Sequence, residues 1–176
     1  MRAVHLAFAI FLSATFACQA ATDPVRSDAI NALGGEAPGV GPGPEHRGGQ
    51  PCLLCHDGSL GSPGQFSIAG TVYDVPGPNA KPVEGVTVTM KNINDGKTKT
   101  ATTNRAGNFF LNPSEWSPSY PITVTLQSGG EKPTCMVTHV GRDGSCAGCH
   151  VEPMGPSSPG RVALHPEADS GLGVCP

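Results

Sequence analysis

Charge is scarce in this chain. Only 14% of its 176 residues are Asp, Glu, Lys or Arg, and the formal net charge is −3. There is no basic cluster, which excludes the phosphate-binding footprint of a nucleic-acid-binding protein and an electrostatic hold on anionic lipid. Aromatic residues are scarcer still, at 5%. Gly 24 and Pro 18 make up about a quarter of the chain, near the level read as partly irregular. A large all-protein core is therefore excluded. Long apolar runs are missing too, with one exception. Leu6 to Phe16 is apolar, follows Met1-Arg2, and leads to the small residues Ala17, Ala20 and Ala21. That order describes an export signal over residues 1–20, too short to span a bilayer. Helical periodicity is also lacking, and no amphipathic helix can be read from the chain.

Cysteine is not lacking. Four of the seven cysteines fall in two identical patterns, Cys52-Leu53-Leu54-Cys55-His56 and Cys146-Ala147-Gly148-Cys149-His150. Two thiols three residues apart, followed at once by histidine, is the attachment pattern of a c-type haem. The thiols reach the two vinyl groups on one side of the porphyrin, and the histidine turns its imidazole under the iron. At this composition one such pattern arises by chance about 0.01 times per chain, so a coincidental pair is remote. The expectation is two covalently bound haem c groups, on Cys52 and Cys55 and on Cys146 and Cys149, with His56 and His150 as proximal iron ligands. A zinc site is the competing use of the same residues, and it wants four ligands at tetrahedral positions.

Each motif is preceded by a histidine. His46 stands six residues before Cys52, and His139 seven before Cys146. At about 3.3 Å per residue, either can span roughly 20 Å and pass round a porphyrin edge. His46 and His139 are the expected distal iron ligands, with the haem served by each left open. His165, at the end of Val162-Ala163-Leu164, is a further candidate, as is Met154, which would raise the reduction potential relative to a second histidine. Over these segments, roughly 25 residues, the chain resembles multihaem c-type cytochromes. Export suits that chemistry, because haem c is attached outside the bacterial cytoplasm.

Three cysteines remain. Cys18 follows Ala17, where a lipoprotein signal places its lipidated cysteine; Thr15-Phe16-Ala17 fits that signal poorly, and the alternative is that Cys18 leaves with the signal peptide. Cys135 and Cys175 are the two leftovers, and in an oxidising compartment they most simply form a disulfide, with two unrelated thiols as the alternative.

Between the motifs the texture changes. Residues 21–45 read as a Gly/Pro-rich leader without periodicity, a tether for the first haem segment at 46–65. From Phe66 onward short alternating runs appear: 66–73, 86–91, 98–103, 108–111, 122–127 and 134–138, with a hairpin turn at Asn94-Asp95-Gly96-Lys97. Six or so short strands separated by turns predict a mainly β fold, a small antiparallel sandwich over residues 66–138. The runs Ile68-Ala69-Gly70-Thr71-Val72-Tyr73, Pro82-Val83-Glu84-Gly85-Val86-Thr87-Val88, Thr102-Thr103-Asn104-Arg105-Ala106-Gly107-Asn108-Phe109 and Ile122-Thr123-Val124 carry a likeness. Over about residues 66–139 the chain resembles the carboxypeptidase regulatory-like family. The resemblance implies an immunoglobulin- or transthyretin-like sandwich that serves as spacer or interaction module and brings no peptidase residues. A second haem segment and tail, residues 139–176, complete the chain.

The function expected from these parts is electron transfer by an exported di-haem cytochrome. Its haems would be closed by two histidines each, and its partners would be redox proteins or an extracellular electron acceptor. A homo-oligomer or filament built by haem packing is a further possibility, and membrane contact would come only through a lipid on Cys18. Two other readings compete. One is a di-haem peroxidase-like enzyme or sensor, which needs an open axial position and acid–base groups beside it. The other is an adhesive sandwich with accessory haems.

Overall fold

A computed structural model describes residues 23–59, 64–166 and 173–175. Export signal and Cys18 lie outside the described residues. The fold is mainly β, in two antiparallel sheets. Strands β1 (Ile68–Thr71) and β4 (Asn108–Leu111) form the smaller sheet. The larger runs in the order β3 (Thr98–Thr102), β2 (Thr87–Asn92), β5 (Ile122–Gln127), β6 (Thr134–Cys135), β7 (Gly173–Val174).

Alternation explains the larger sheet. On β2, Val88 and Met90 point inward and are fully buried, while Lys91 is exposed. Ile122 and Leu126 on β5 meet them, and Ile68, Val72, Phe109 and Leu111 come from the smaller sheet to close one core. Trp116 and Tyr120 pack at its margin. Edge strand β3 is polar and half-exposed, as its Thr-rich sequence predicts.

The smaller sheet departs from alternation. All four residues of β1 are buried, and Tyr73 beyond it is only 7% exposed. Ser67, Ala69, Thr71 and Tyr73 should form a solvent face. They do not, because flanking chain covers them. Ala69 N–H donates to the Gly144 carbonyl (2.9 Å), Tyr73 N–H to Val162 (2.9 Å), and Leu164 N–H to Tyr73 (2.9 Å). Residues 144–164 thus run along the free edge of β1, and Leu164 enters the core.

Two features differ from the sequence expectation. A helix, α1 (Pro24–Ala32), forms in the leader. Asp23 caps it by accepting from the Val25 N–H, and Pro24 stands where its missing donor costs nothing. It buries no residue, so it has no apolar stripe that a periodicity search could find. Nor is the leader a free tether. Asn104 Nδ2 donates to the Pro44 carbonyl (2.7 Å), and Arg105 forms a two-pronged ion pair with Glu45 (3.0 and 3.1 Å). Its last residues are laid on the turn before β4. The final expected strand, 134–138, is short: only Thr134 and Cys135 pair.

Cys135 and Cys175 are joined by a disulfide, which ties β6 to β7. No helix among the described residues is long and apolar enough to cross a membrane.

Candidate functional site

Both Cys-x-x-Cys-His motifs fold into the same turn. In the first, α2 (Leu53–His56), the Cys52 carbonyl accepts from the N–H groups of Cys55 (3.1 Å) and His56 (2.9 Å). In the second, the Cys146 carbonyl accepts from Cys149 (3.2 Å) and His150 (2.9 Å) around a 3-10 turn, Cys146–Gly148. The turn carries both cysteines and the histidine on one short bend.

The histidines match as well. His56 Nδ1 lies 2.9 Å from the Gly64 carbonyl, and His150 Nδ1 lies 3.0 Å from the Gly160 carbonyl. A carbonyl only accepts, so each Nδ1 carries the proton and each Nε2 is left with its lone pair. That is the tautomer a metal-bound histidine needs, with the orienting partner already in place. Burial holds the His150 pKa below its ordinary value, against the opposing pull of the Gly160 carbonyl, which favours the neutral ligating form.

The four motif cysteines form no disulfide. Burial pushes the Cys146 thiol up to about 12, and the neighbouring Cys52 and Asp143 add to that. Burial raises Cys52 too. Thiol-exchange motifs work the other way, through a depressed first thiol. Among the described residues, no three His, Cys, Asp or Glu side chains converge as a metal-binding group.

The motifs, 90 residues apart in sequence, meet at β1. The Cys146 side chain sits against Gly70, where a Cβ would fall 2.7 Å from its sulfur. On the first segment, Gly49 donates its N–H to Thr71 Oγ1 (2.8 Å) and lies against the Tyr73 hydroxyl. Gly49, Tyr73, Cys146 and His150 line one small cleft. Gly49, three residues before Cys52, thus lies beside Cys146 and His150 of the second motif.

His46 is brought to the first motif, its ring centre 5.8 Å from that of His56. The two rings are stacked, at an interplanar angle of 29°. His56 is 8% exposed and stacks on Phe66 (4.4 Å), which stacks in turn on Phe110 (4.6 Å). Arg47, next to His46, has a left-handed backbone, φ 50. Such a conformation costs a non-glycine residue about 1–3 kcal/mol and persists only where contacts over-determine it. Here Arg47 pairs with Glu36 (3.2 Å) and donates to the Gly34 carbonyl (3.0 Å) and Gln50 (2.9 Å).

His139 is exposed, beside Val140, which pairs with Ile122. No described contact brings its ring to either motif. His165 is also exposed, with Nε2 3.7 Å from Glu131. It lines an open groove of about 1100 Å³ together with Val75, Met154 and Pro166. Gly160 packs between Met154 and Pro76, and its carbonyl faces His150 Nδ1. No described contact brings the His165 or Met154 side chain to the ring of His56 or His150.

Arg26 is a contributor that sequence reading missed. From α1 it donates to the Leu54 carbonyl (Nε, 2.8 Å), to Ser59 (2.7 Å) and to Asp57, closing the end of the first attachment turn. Its guanidinium, by hydrogen bond first, holds Asp57 well below the usual carboxylate range. An isolated arginine in an irregular leader carries no signal of such a role.

Comparison with known proteins returns no match: no family model fits the chain, and no curated protein or solved structure is similar to it.

Proposed function

We propose that this chain is an exported di-haem c-type cytochrome that passes electrons between redox partners, its two haems forming one short relay against β1. The observation that carries the reading is the repeated turn with its repeated orienting bond: two Cys-x-x-Cys-His bends, each with its histidine Nδ1 held by a backbone carbonyl, which leaves Nε2 to ligate. Cys52 and Cys55 would hold one haem, and Cys146 and Cys149 the other. His56 and His150 would take the irons from the proximal side. The haem supplies reversible one-electron chemistry when bound.

The protein's own contribution is positioning. Gly64 and Gly160 carbonyls keep the two imidazoles aimed by holding Nδ1, and burial favours the neutral form of His150. His46, beside His56, would supply a second imidazole to the first haem and so limit access of small molecules to it. His139 is the distal candidate for the second, reaching it over the seven-residue lead to Cys146. Nearness of the attachment turns favours transfer from haem to haem within one chain. Residues 66–138 then act as a rigid mount, in keeping with the likeness to regulatory-like sandwiches. Electrons would pass on to a redox protein or an extracellular acceptor.

Intact-mass measurement of the exported protein tests this directly. Two covalent haems are expected; one or none overturns the reading. Visible and paramagnetic resonance spectra should then show at least one low-spin centre that does not bind carbon monoxide, and its loss in His46→Ala.

A further inference from the structure

The segment bearing His46 has no secondary structure of its own, yet the ring is placed. What places it is a pair of buried polar residues on the sandwich. Asn108, 7% exposed, opens β4; Thr71, 5% exposed, is its register partner at the end of β1. The Thr71 hydroxyl donates to Asn108 Oδ1 (2.7 Å). That leaves the Asn108 amide with two N–H donors, and both leave the sandwich: one goes to the Pro44 carbonyl (3.2 Å) and one to the His46 carbonyl (3.0 Å). Thr71 Oγ1, having donated, accepts from the Gly49 N–H (2.8 Å). The two side chains thus grip the chain on both sides of His46, at 44, 46 and 49. Every hydrogen bond in the set is needed, since a buried amide or hydroxyl without a partner costs its full desolvation. The left-handed Arg47 between the grips is held from the other side by Glu36, Gly34 and Gln50.

We propose that Asn108 and Thr71 are positioning residues for His46: they clamp a detachable ligand arm onto the sandwich and so keep the first haem closed. This rests on the haem reading above. The clamp touches neither His56 nor the attachment cysteines in any described hydrogen bond, so it acts on the distal side alone. Releasing it should leave a covalently attached, proximally ligated haem with an open sixth position.

The experiment uses the full holoprotein. Asn108→Asp keeps the acceptor for Thr71 and removes both N–H donors, setting a carboxylate against two carbonyl oxygens. Thr71→Val keeps the shape and removes the link to Gly49. Each is compared with His46→Ala by haem count, high-spin fraction and carbon monoxide uptake. Two haems per chain are expected throughout. Asn108→Asp should gain high-spin character and bind about one further carbon monoxide per chain, like His46→Ala, with Thr71→Val between it and the unaltered protein. Combining Asn108→Asp with His46→Ala should add nothing to His46→Ala alone. The proposal is overturned if His46→Ala opens a haem while Asn108→Asp and Thr71→Val stay closed with both haems attached. If Asn108→Asp does not accumulate, Thr71→Val alone decides. Should His46→Ala itself open nothing, the His46 assignment fails and the clamp with it. A chain without two haems would instead sink the cytochrome reading.

Discussion

Removing the Cys135–Cys175 disulfide should cost this protein a large share of its stability, and the cost can be worked from the chain. The bond closes a loop of 40 residues that contains the whole second attachment turn. In the chain-entropy account, opening that loop returns about 13 cal/mol/K to the unfolded state, or about 4 kcal/mol at 25 °C. Among the described residues, β7 pairs with the sheet only through two residues of β6. The perturbation is Cys135→Ser with Cys175→Ser in the holoprotein, or mild reductant, since thioether links to haem are not reduced with a disulfide. With a urea dependence of about 2 kcal/mol/M, the midpoint should fall by about 2 M. Amide exchange should locate the loosening in residues 136–166, with β2 and β5 protected as before. A midpoint shift under about 0.3 M would refute the idea that the loop, rather than packing, secures the second station.

Three further outcomes are expected. Gly70→Ala puts a Cβ 2.7 Å from the Cys146 sulfur and 3.0 Å from Phe109, and should destabilise by about 1–3 kcal/mol in chemical denaturation, whereas Gly35→Ala, with open space around it, should lose none of this. Phe66→Leu removes the ring stacked on His56 and should shift one low-spin resonance signal while leaving the other and the haem count unchanged; two shifted signals would contradict the separation of the sites. Asp57 has its folded pKa depressed by Arg26, so the stability it lends is complete above the ordinary carboxylate pKa of about 4 and is lost as pH falls below it. An acid titration of the first station should therefore be shallower in Arg26→Gln, and an unchanged profile would count against the pairing.

How much of this could be read in the chain depended on the kind of signal. Alternation revealed every strand from Ile68 to Gln127, because Val88, Met90, Ile122 and Leu126 face a core that needs them. Burial of Ala69, Thr71 and Tyr73 could not be read, because what covers them is backbone hydrogen bonding from residues 144–164, and backbone groups have no sequence signature. For the same reason the orienting carbonyls of Gly64 and Gly160 were invisible, since any residue offers a carbonyl. Helix α1 escaped through its lack of an apolar stripe. The spacing of His46 allowed it to stand beside a motif histidine, yet could not say which, since a chain that reaches roughly 20 Å reaches either one. The spacing of His139 promised as much, and its ring stands in solvent.

Strand β1 has a consequence for how this protein tolerates change. Both attachment turns, the clamp on His46 and the edge that carries residues 144 and 162–164 all refer to Ile68–Tyr73. The β2–β3 hairpin, by contrast, touches neither turn in any described hydrogen bond. A peptide inserted at its Asn94–Lys97 tip would lengthen the chain between the motifs and leave the distance between them unchanged. Sequence separation and motif separation are thus decoupled, and the hairpin end of the sandwich is free to acquire tags, partners or whole domains without moving either turn.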